Sequence, residues 1–165
     1  MNFEQLGAET QRAWAATRLH VWPELYRLVR LSLDRAGSAA TLAGARGGGG
    51  EGGAADSRFF ALVSEQTEVS ITVAEDVWRN SPVRAQAARD DGPFRVITLD
   101  VELPLGLTGF LAPAAVRLAA AGVAIVVQCG HRTDHLLVPS ERLDLAVRVL
   151  EGWIRTCREA ANTVG

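Results

Sequence analysis

The sequence predicts an α+β fold of the ferredoxin-like βαββαβ type, with antiparallel sheets and helices on one face. The first observation is a helix–strand–strand–helix order over residues 105–146, preceded by a strand at 96–103. The second is the alternation of apolar and polar residues in that strand, which is typical of an antiparallel sheet covered on one side. The third is a single apolar stripe along the last helix. Together they predict most of one ferredoxin-like unit in the second half of the chain.

The first half begins with a strand and a glycine-rich tract. Residues 25–33 are predicted to form the strand, because Val29, Leu31 and Leu33 share one face. Residues 36–56 follow, and they lack both the apolar period of a helix and the fixed spacing of a phosphate-binding loop. Their composition predicts a flexible insertion that replaces or displaces the first helix of the unit.

The rest of the first half has the pattern of a hairpin followed by a short helix. Two β-rich runs at 59–64 and 69–73 flank a polar loop, which predicts an antiparallel hairpin. Residues 74–78 are predicted to form one or two helical turns, and 80–93 a polar linker. The first half therefore has the predicted order β–insertion–β–β–short α.

The second half continues from its first strand into a turn at 106–110 and a helix that ends at Gly122. Two apolar strands at 123–129 and 135–138 are predicted to form a hairpin. A long amphipathic helix then begins at Pro139. Its apolar stripe consists of Leu143, Val147, Leu150, Ile154, Cys157 and Ala161.

These elements predict two interleaved units. Residues 1–20 are predicted to be a helical extension, 21–93 a first unit with its glycine-rich insertion at 36–56, and 94–165 a second unit. We expect the strand at 96–103 to close the first unit and open the second.

Charge and composition limit the partners of the chain. The net charge is -2 and the isoelectric point is near 5.9, which disfavours binding to nucleic acid phosphates. No apolar run approaches the ~20 residues of a membrane helix, and the start lacks the order of a signal peptide. Two cysteines make no disulfide framework. We therefore expect a cytoplasmic protein without a membrane or nucleic-acid partner.

The chain has no lysine, and all 17 of its basic residues are arginine. A Schiff base, a pyridoxal phosphate attachment and a Walker A site each need a lysine amine. The composition therefore excludes these three kinds of chemistry, and we expect no cofactor.

Three groups of residues carry a resemblance to a known family: Leu107-Thr108-Gly109-Phe110-Leu111-Ala112, Ala121-Gly122-Val123 and Thr133-Asp134-His135-Leu136-Leu137-Val138. In this order and spacing the chain resembles the ACT-domain proteins related to the CASTOR arginine sensors and the aspartokinase regulatory domain. The resemblance extends over residues 59–150 and is densest at 105–146. It implies two ACT-type units and a regulatory, non-catalytic protein that senses amino acids.

The resemblance also implies where an effector binds and how the protein acts. ACT effectors bind between domains, against the turn after the first strand and against the second strand. Carried onto this sequence, the ligand-binding residues are Leu107, Thr108, Gly109, Phe110, Val127, Gln128, Cys129 and Asp134. The expected partners are an amino acid or similar small effector, a second copy in a homodimer, and a regulatory protein partner.

Physical chemistry supports several of these positions independently of the family. Gly109 allows a ligand to approach the backbone closely. Free N–H groups at a helix start suit a carboxylate. Thr108 adds a hydroxyl, and Asp134 can pair with an α-ammonium group. The same Thr108-Gly109 turn would also serve as a helix start with no ligand, so a ligand-free dimerisation or scaffold module is the alternative.

Two features depart from the family pattern. Cys129, Gly130 and His131 stand where relatives have small hydroxyl residues and an aromatic residue. Pro113 falls inside the first helix of the second unit, where a missing N–H is tolerated only near the first turn. These departures concern the identity of the ligand.

The cysteine and histidine residues near the turn raise two other hypotheses. Cys129, His131 and His135 could supply three zinc ligands, but no fourth ligand is near in sequence. Cys129 and His131 could form a nucleophile–base pair, but nothing orients the histidine or supplies an oxyanion hole. We therefore predict no metal site and no catalytic residues. Cys157 lies on the apolar stripe and is predicted to be in the core.

Overall fold

The computed structural model describes residues 3–44 and 58–163, in two compact units. One unit combines Met1–Val21 with Val96–Gly165, and the other is Trp22–Arg95. We call them the outer unit and the central unit, after their places in the sequence. In chain order the elements are α1 (Ala8–Ala16), β1 (Arg18–Val21), β2 (Tyr26–Ser32), α2 (Ala36–Gly44), β3 (Ala61–Ser64), β4 (Glu68–Ala74), α3 (Glu75–Arg79), β5 (Arg89–Asp100), α4 (Ala112–Ala120), β6 (Val126–Cys129), β7 (Asp134–Pro139) and α5 (Leu143–Thr163).

The outer unit has the strand order β1-β5-β7-β6. Strand β1 pairs antiparallel with the end of β5, from Arg18 opposite Asp100 to Val21 opposite Ile97. Strands β6 and β7 form the predicted hairpin. Three helices, α1, α4 and α5, complete the unit, whose core holds Ile97, Leu99, Phe110, Leu118, Leu136, Val138, Leu150 and Trp153.

Helix α5 forms because its buried residues recur at three- and four-residue steps. They are Ala146, Leu150, Trp153, Ile154 and Cys157. The predicted stripe is therefore present over most of its length, and Cys157 is in the core. Ala161 is exposed, because the stripe ends one turn earlier.

The N-terminal segment contributes to the core of the outer unit, a role that the sequence analysis did not predict. Trp14 of α1 is fully buried and stacks on Phe110, with ring centroids 4.6 Å apart. Its indole also meets the edge of Trp153 at 6.1 Å. Strand β1 follows directly and adds the fourth strand of this unit. Residues 8–21 therefore supply both a helix and a strand.

The central unit has the strand order β3-β4-β2-β5. All three neighbouring pairs are antiparallel, and β2 pairs with β4 from Tyr26 opposite Ala74 to Ser32 opposite Glu68. Its separate core holds Val29, Leu31, Val69, Ile71, Val73 and Trp78. The hairpin at β3 and β4 and the short helix α3 agree with the sequence prediction.

Two predictions about the central unit need correction. Residues Ala36–Gly44 form helix α2, where a flexible insertion was expected, because alanine favours a helix and Ala39 and Leu42 are buried in the core. The glycine-rich run at 47–53 lies outside the described residues. The predicted polar linker at 80–93 contains the start of β5, since Arg89, Asp90 and Asp91 pair with β2.

Smaller differences concern the ends of elements in the outer unit. Strand β6 starts at Val126 and not at Val123, because residues 121–123 form the hydrogen-bonded turn that ends α4. Pro113 lies in the first turn of α4, where its missing N–H removes no helical hydrogen bond. In the described part of the chain, no helix is long and apolar enough to cross a membrane.

Candidate functional site

A small cavity in the outer unit lies between the loop before α4 and the turn of the β6–β7 hairpin. Its volume is about 180 Å³. Four of the eight predicted ligand-binding residues line it: Leu107, Phe110, Cys129 and Asp134. The other four, Thr108, Gly109, Val127 and Gln128, do not. We call this space the hairpin cavity.

The hairpin turn forms one wall of the hairpin cavity. Cys129 and Asp134 are directly opposite each other in the antiparallel pair. The Gly130 N–H donates to the Thr133 carbonyl at 2.9 Å, which closes a tight turn between them. The Leu103 N–H donates to the Arg132 carbonyl at 3.0 Å, and this bond fixes the opposite wall to the turn.

Asp134 places a carboxylate in the wall of the cavity. The residue is only 9% exposed, and a buried acid is unusual without partners. The Cys129 thiol donates a hydrogen bond to this carboxylate, and that bond, with burial and the acid's charge, raises the pKa of Cys129 to about 11. The thiol is therefore protonated at neutral pH and is a weak nucleophile.

Arg132 is the arginine among the residues that line the cavity. Its Nη2 lies 3.4 Å from Glu102 Oε2, but the two side chains are 71% and 75% exposed. An ion pair at that exposure contributes little and exchanges easily with solvent. The guanidinium can therefore turn toward an anionic group in the cavity at small cost.

The turn at 107–110 is held by helix α1. The Thr10 hydroxyl donates to the Thr108 carbonyl at 2.9 Å, and the Trp14 Nε1–H donates to the Phe110 carbonyl at 2.9 Å. Gly109 has a φ of +75°, in the left-handed region, and apart from its two chain neighbours no residue lies within 4 Å of the position a Cβ would take. Glycine is required there by the backbone angle, and steric crowding does not add to the requirement.

The start of α4 offers fewer hydrogen-bond donors than the sequence analysis expected. The Ala112 N–H donates to the Gly109 carbonyl at 3.3 Å, and Pro113 has no N–H. Neither Ala112 nor Pro113 therefore offers an N–H group to a ligand carboxylate.

Val127 and Gln128 lie in β6, next to the turn but outside the cavity lining. Val127 is exposed, and Gln128 is half-buried opposite His135. Successive residues of a strand face opposite sides of the sheet, so Gln128 faces away from Cys129, and Val127, on the same side as Cys129, lies further from the turn. Of the three predicted residues of β6, Cys129 lines the cavity.

His135 is bound on the sheet, beside the cavity. Its Nδ1 and the Thr98 hydroxyl form a hydrogen bond of 2.8 Å. Burial lowers the pKa of His135, and the charge of Asp134 opposes that shift. Within residues 3–44 and 58–163, no three histidine, cysteine or acidic side chains are arranged to hold a metal ion.

The lowered pKa of His135 gives a testable pH dependence. In the unfolded chain the imidazole titrates near its ordinary pKa of 6.5, whereas the folded protein resists protonation. The stability contributed by neutral His135 is therefore present above pH 6.5 and is lost as the pH falls through the folded-state pKa. We expect His135→Gln to reduce the fall in melting temperature on acidification. Identical profiles for wild type and His135→Gln would contradict the expectation.

Comparison with known proteins places this architecture in a recognised class. Residues 91–152 match the ACT domain family. A comparison with curated proteins finds no match.

Solved structures of similar fold cover most of the chain. A protein of unknown function from Vibrio cholerae, VC0802, described as a possible transport protein, has 17% identity and a TM-score of 0.66, over 90% of this chain and 98% of that one. Protein Atu0741 from Agrobacterium tumefaciens has 23% identity and a TM-score of 0.59, over 84% and 89%. The regulatory subunit of aspartate kinase from Thermus flavus has 12% identity and a TM-score of 0.57, over 83% and 95%.

These similarities show an ACT fold of mixed α and β class with an antiparallel sheet. They confirm the predicted resemblance to ACT domains and to aspartokinase regulatory domains. The more specific resemblance to the CASTOR arginine sensors stays a prediction.

Proposed function

We propose that the protein is a non-catalytic regulatory module that senses an amino acid and changes its domain or subunit association with a partner protein or a second copy. One observation carries the proposal: the buried carboxylate of Asp134 lines a small cavity within the segment that matches the ACT domain family. The fold similarity to regulatory subunits of aspartate kinase supports the regulatory part of it.

The groups around the hairpin cavity complement an amino acid. Asp134 is the partner for the α-ammonium group, since a desolvated carboxylate favours a cation. Arg132, weakly held at the rim, is the partner for the α-carboxylate. A volume of about 180 Å³ corresponds to about six water molecules at roughly 30 Å³ each, which suits a small ligand. Leu107 and Phe110 supply apolar surface for a side chain.

The proposal includes two interleaved ACT-type units. In the central unit the order β3-β4-β2-β5 places the last strand beside the first, and the order β1-β5-β7-β6 does the same in the outer unit if β1 counts as the fourth strand. Residues of β5 belong to both units. Strand β1, which precedes the central unit in the sequence, then serves as the fourth strand of the outer unit.

A ligand-free scaffold is the second candidate, and the helix start favours it. The Ala112 N–H is bonded within the protein and Pro113 has none, so part of the donor set expected for a carboxylate is absent from α4. An ACT unit that had lost its effector would retain the fold and the Asp134–Cys129 pair.

A thermal-shift screen against the twenty amino acids separates the two candidates. A ligand at 100 times its dissociation constant stabilises the folded protein by about 2.7 kcal/mol. The sensor predicts a raised melting temperature with one or a few amino acids at millimolar concentration. No shift with any of the twenty would leave the scaffold as the better account.

We also expect the protein to form a symmetric homodimer. Strand β3 is at the end of the strand order of the central unit, and its Leu62 and Val63 are both exposed. An uncharged, apolar strand edge favours pairing with another chain. Sedimentation velocity should show a dimer that dissociates on dilution, and Val63→Lys should weaken it. A monomer at every concentration would contradict this expectation.

A further inference from the structure

A second cavity lies in the central unit, and none of its lining residues is among those assigned to amino-acid sensing. It also has a volume of about 180 Å³. Its six lining residues come from the start of β2, from α3, from the segment before β5 and from the start of β5 itself: Arg27, Glu75, Trp78, Arg79, Arg84 and Asp90. Five of the six are charged. We call it the arginine cavity.

The carboxylate of Asp90 is fully engaged inside the protein. Its Oδ1 accepts from Arg27 Nε at 2.6 Å, and its Oδ2 accepts from Trp78 Nε1 at 2.9 Å. Arg27 Nη2 also donates to the Asp90 carbonyl at 3.0 Å. Both oxygens of this acid therefore have donors, and its negative charge is compensated locally.

Glu75 is compensated in the same way. Its Oε1 accepts from Arg79 Nη2 at 3.0 Å and lies 3.9 Å from Arg27 Nη1. The side chains of Arg27 and Glu75 are only 18% and 14% exposed. Charges at that depth are screened less than surface charges.

Arg84 leaves the cavity with an excess positive charge. Three guanidinium groups face two carboxylates, so the lining carries a net charge of +1. Within the described residues, the Arg84 side chain makes no hydrogen bond and no ion pair, and it is exposed at the rim. Arg84 is therefore free to bind an anion that enters the cavity.

We propose that the arginine cavity binds a phosphate group, either as the free ion or as the ester of a small metabolite. Guanidinium groups recognise phosphate and carboxylate oxygens through paired N–H donors. A carboxylate has two oxygens and satisfies one such fork, whereas a phosphate monoester presents three acceptor oxygens and a charge of about −1.5 to −2 at neutral pH. Arg27 is held by Asp90, so the donors for a phosphate come from Arg84 and from the exposed guanidinium of Arg79, which bonds Glu75 through one nitrogen.

The Trp78 indole provides a direct probe, because its Nε1–H belongs to the wall of the cavity. The chain has four tryptophans, so four indole resonances are expected in an ¹⁵N-labelled sample, and Trp78→Phe identifies one. Inorganic phosphate, titrated at constant ionic strength against chloride, should shift the Trp78 resonance saturably. Glycerol 3-phosphate in a parallel titration distinguishes a preference for the ester from a preference for the free ion.

Arg84→Gln is the decisive variant, and Arg89→Gln is its matched control. Losing a charged hydrogen-bond donor should weaken phosphate binding about tenfold or more. Arg89 is an exposed arginine of the same unit that pairs with Asp91 at 2.6 Å and does not line the cavity, so its variant should bind as the wild type does. The indole spectrum without phosphate checks that each variant is folded.

Three results would overturn the proposal. They are a Trp78 shift that does not saturate, an equal shift with acetate or chloride at the same ionic strength, and an unchanged affinity in Arg84→Gln. None of them bears on the amino-acid screen, because the hairpin cavity shares no residue with the arginine cavity.

Discussion

Replacing Trp14 by alanine is expected to lower the free energy of unfolding by about 3–5 kcal/mol, the usual cost of truncating a buried tryptophan. Trp14 is fully buried, stacks on Phe110 and donates its indole N–H to the Phe110 carbonyl. Truncation leaves a cavity in the core and removes the donor that holds the turn at 107–110. Urea denaturation followed by circular dichroism measures the change.

Two further variants separate the causes of the effect. Trp14→Phe loses the N–H donor but keeps an aromatic ring and part of the buried volume, so we expect a smaller cost of about 1–3 kcal/mol. Arg12→Ala, on the exposed side of the same helix, should change the stability by less than about 0.5 kcal/mol. A cost below about 1 kcal/mol for Trp14→Ala would contradict the structural role assigned to Trp14.

The sequence predicts the second half of the fold well because its signals are local. The apolar alternation that leads into Leu103, the hairpin at β6 and β7, and the stripe of α5 each show their period within one segment. Strand β1 gave no such signal. It is four residues long, and it becomes a strand by pairing with β5, which lies about eighty residues away in the chain.

Composition misled the prediction in two places. Helix α2 is short, and the glycine-rich run directly after it dominates the local composition. The start of β5 is polar, and its Asp90 is bound by Arg27 and Trp78. These three side chains come together only in the folded protein. A polar residue with a specific tertiary partner cannot be distinguished in sequence from a polar residue in a linker.

The candidate site was likewise predicted only in part from the sequence. Leu107, Phe110, Cys129 and Asp134 line the hairpin cavity because the turn of the hairpin packs beside the loop before α4. Arg132 was missed, since a charged residue in a turn is usually solvated and carries no distinguishing pattern. Its place at the rim follows from the Leu103–Arg132 backbone bond, which links segments about thirty residues apart.

Replacing Asp134 by asparagine is expected to remove most of the stabilisation that an amino acid confers. The side chain has nearly the same shape, but it loses the charge that would pair with an α-ammonium group. A hydrogen bond to a charged group contributes about 1.5–3 kcal/mol, and a loss near 2 kcal/mol weakens binding about 30-fold. At a concentration that gives the wild type about 2.7 kcal/mol, the variant should gain less than about 1 kcal/mol.

The ligand-induced change must be compared within each variant, because Asp134 also accepts a hydrogen bond from Cys129 and its loss alters the ligand-free protein. Asp100→Asn, an exposed acid of the same unit, is the matched control and should retain the full wild-type response. Gly109→Val is a poorer test, since a β-branched residue at a φ of +75° strains the turn with or without a ligand. If an amino acid stabilises the wild type and Asp134→Asn equally, the ligand binds elsewhere, and the buried carboxylate serves the hairpin alone.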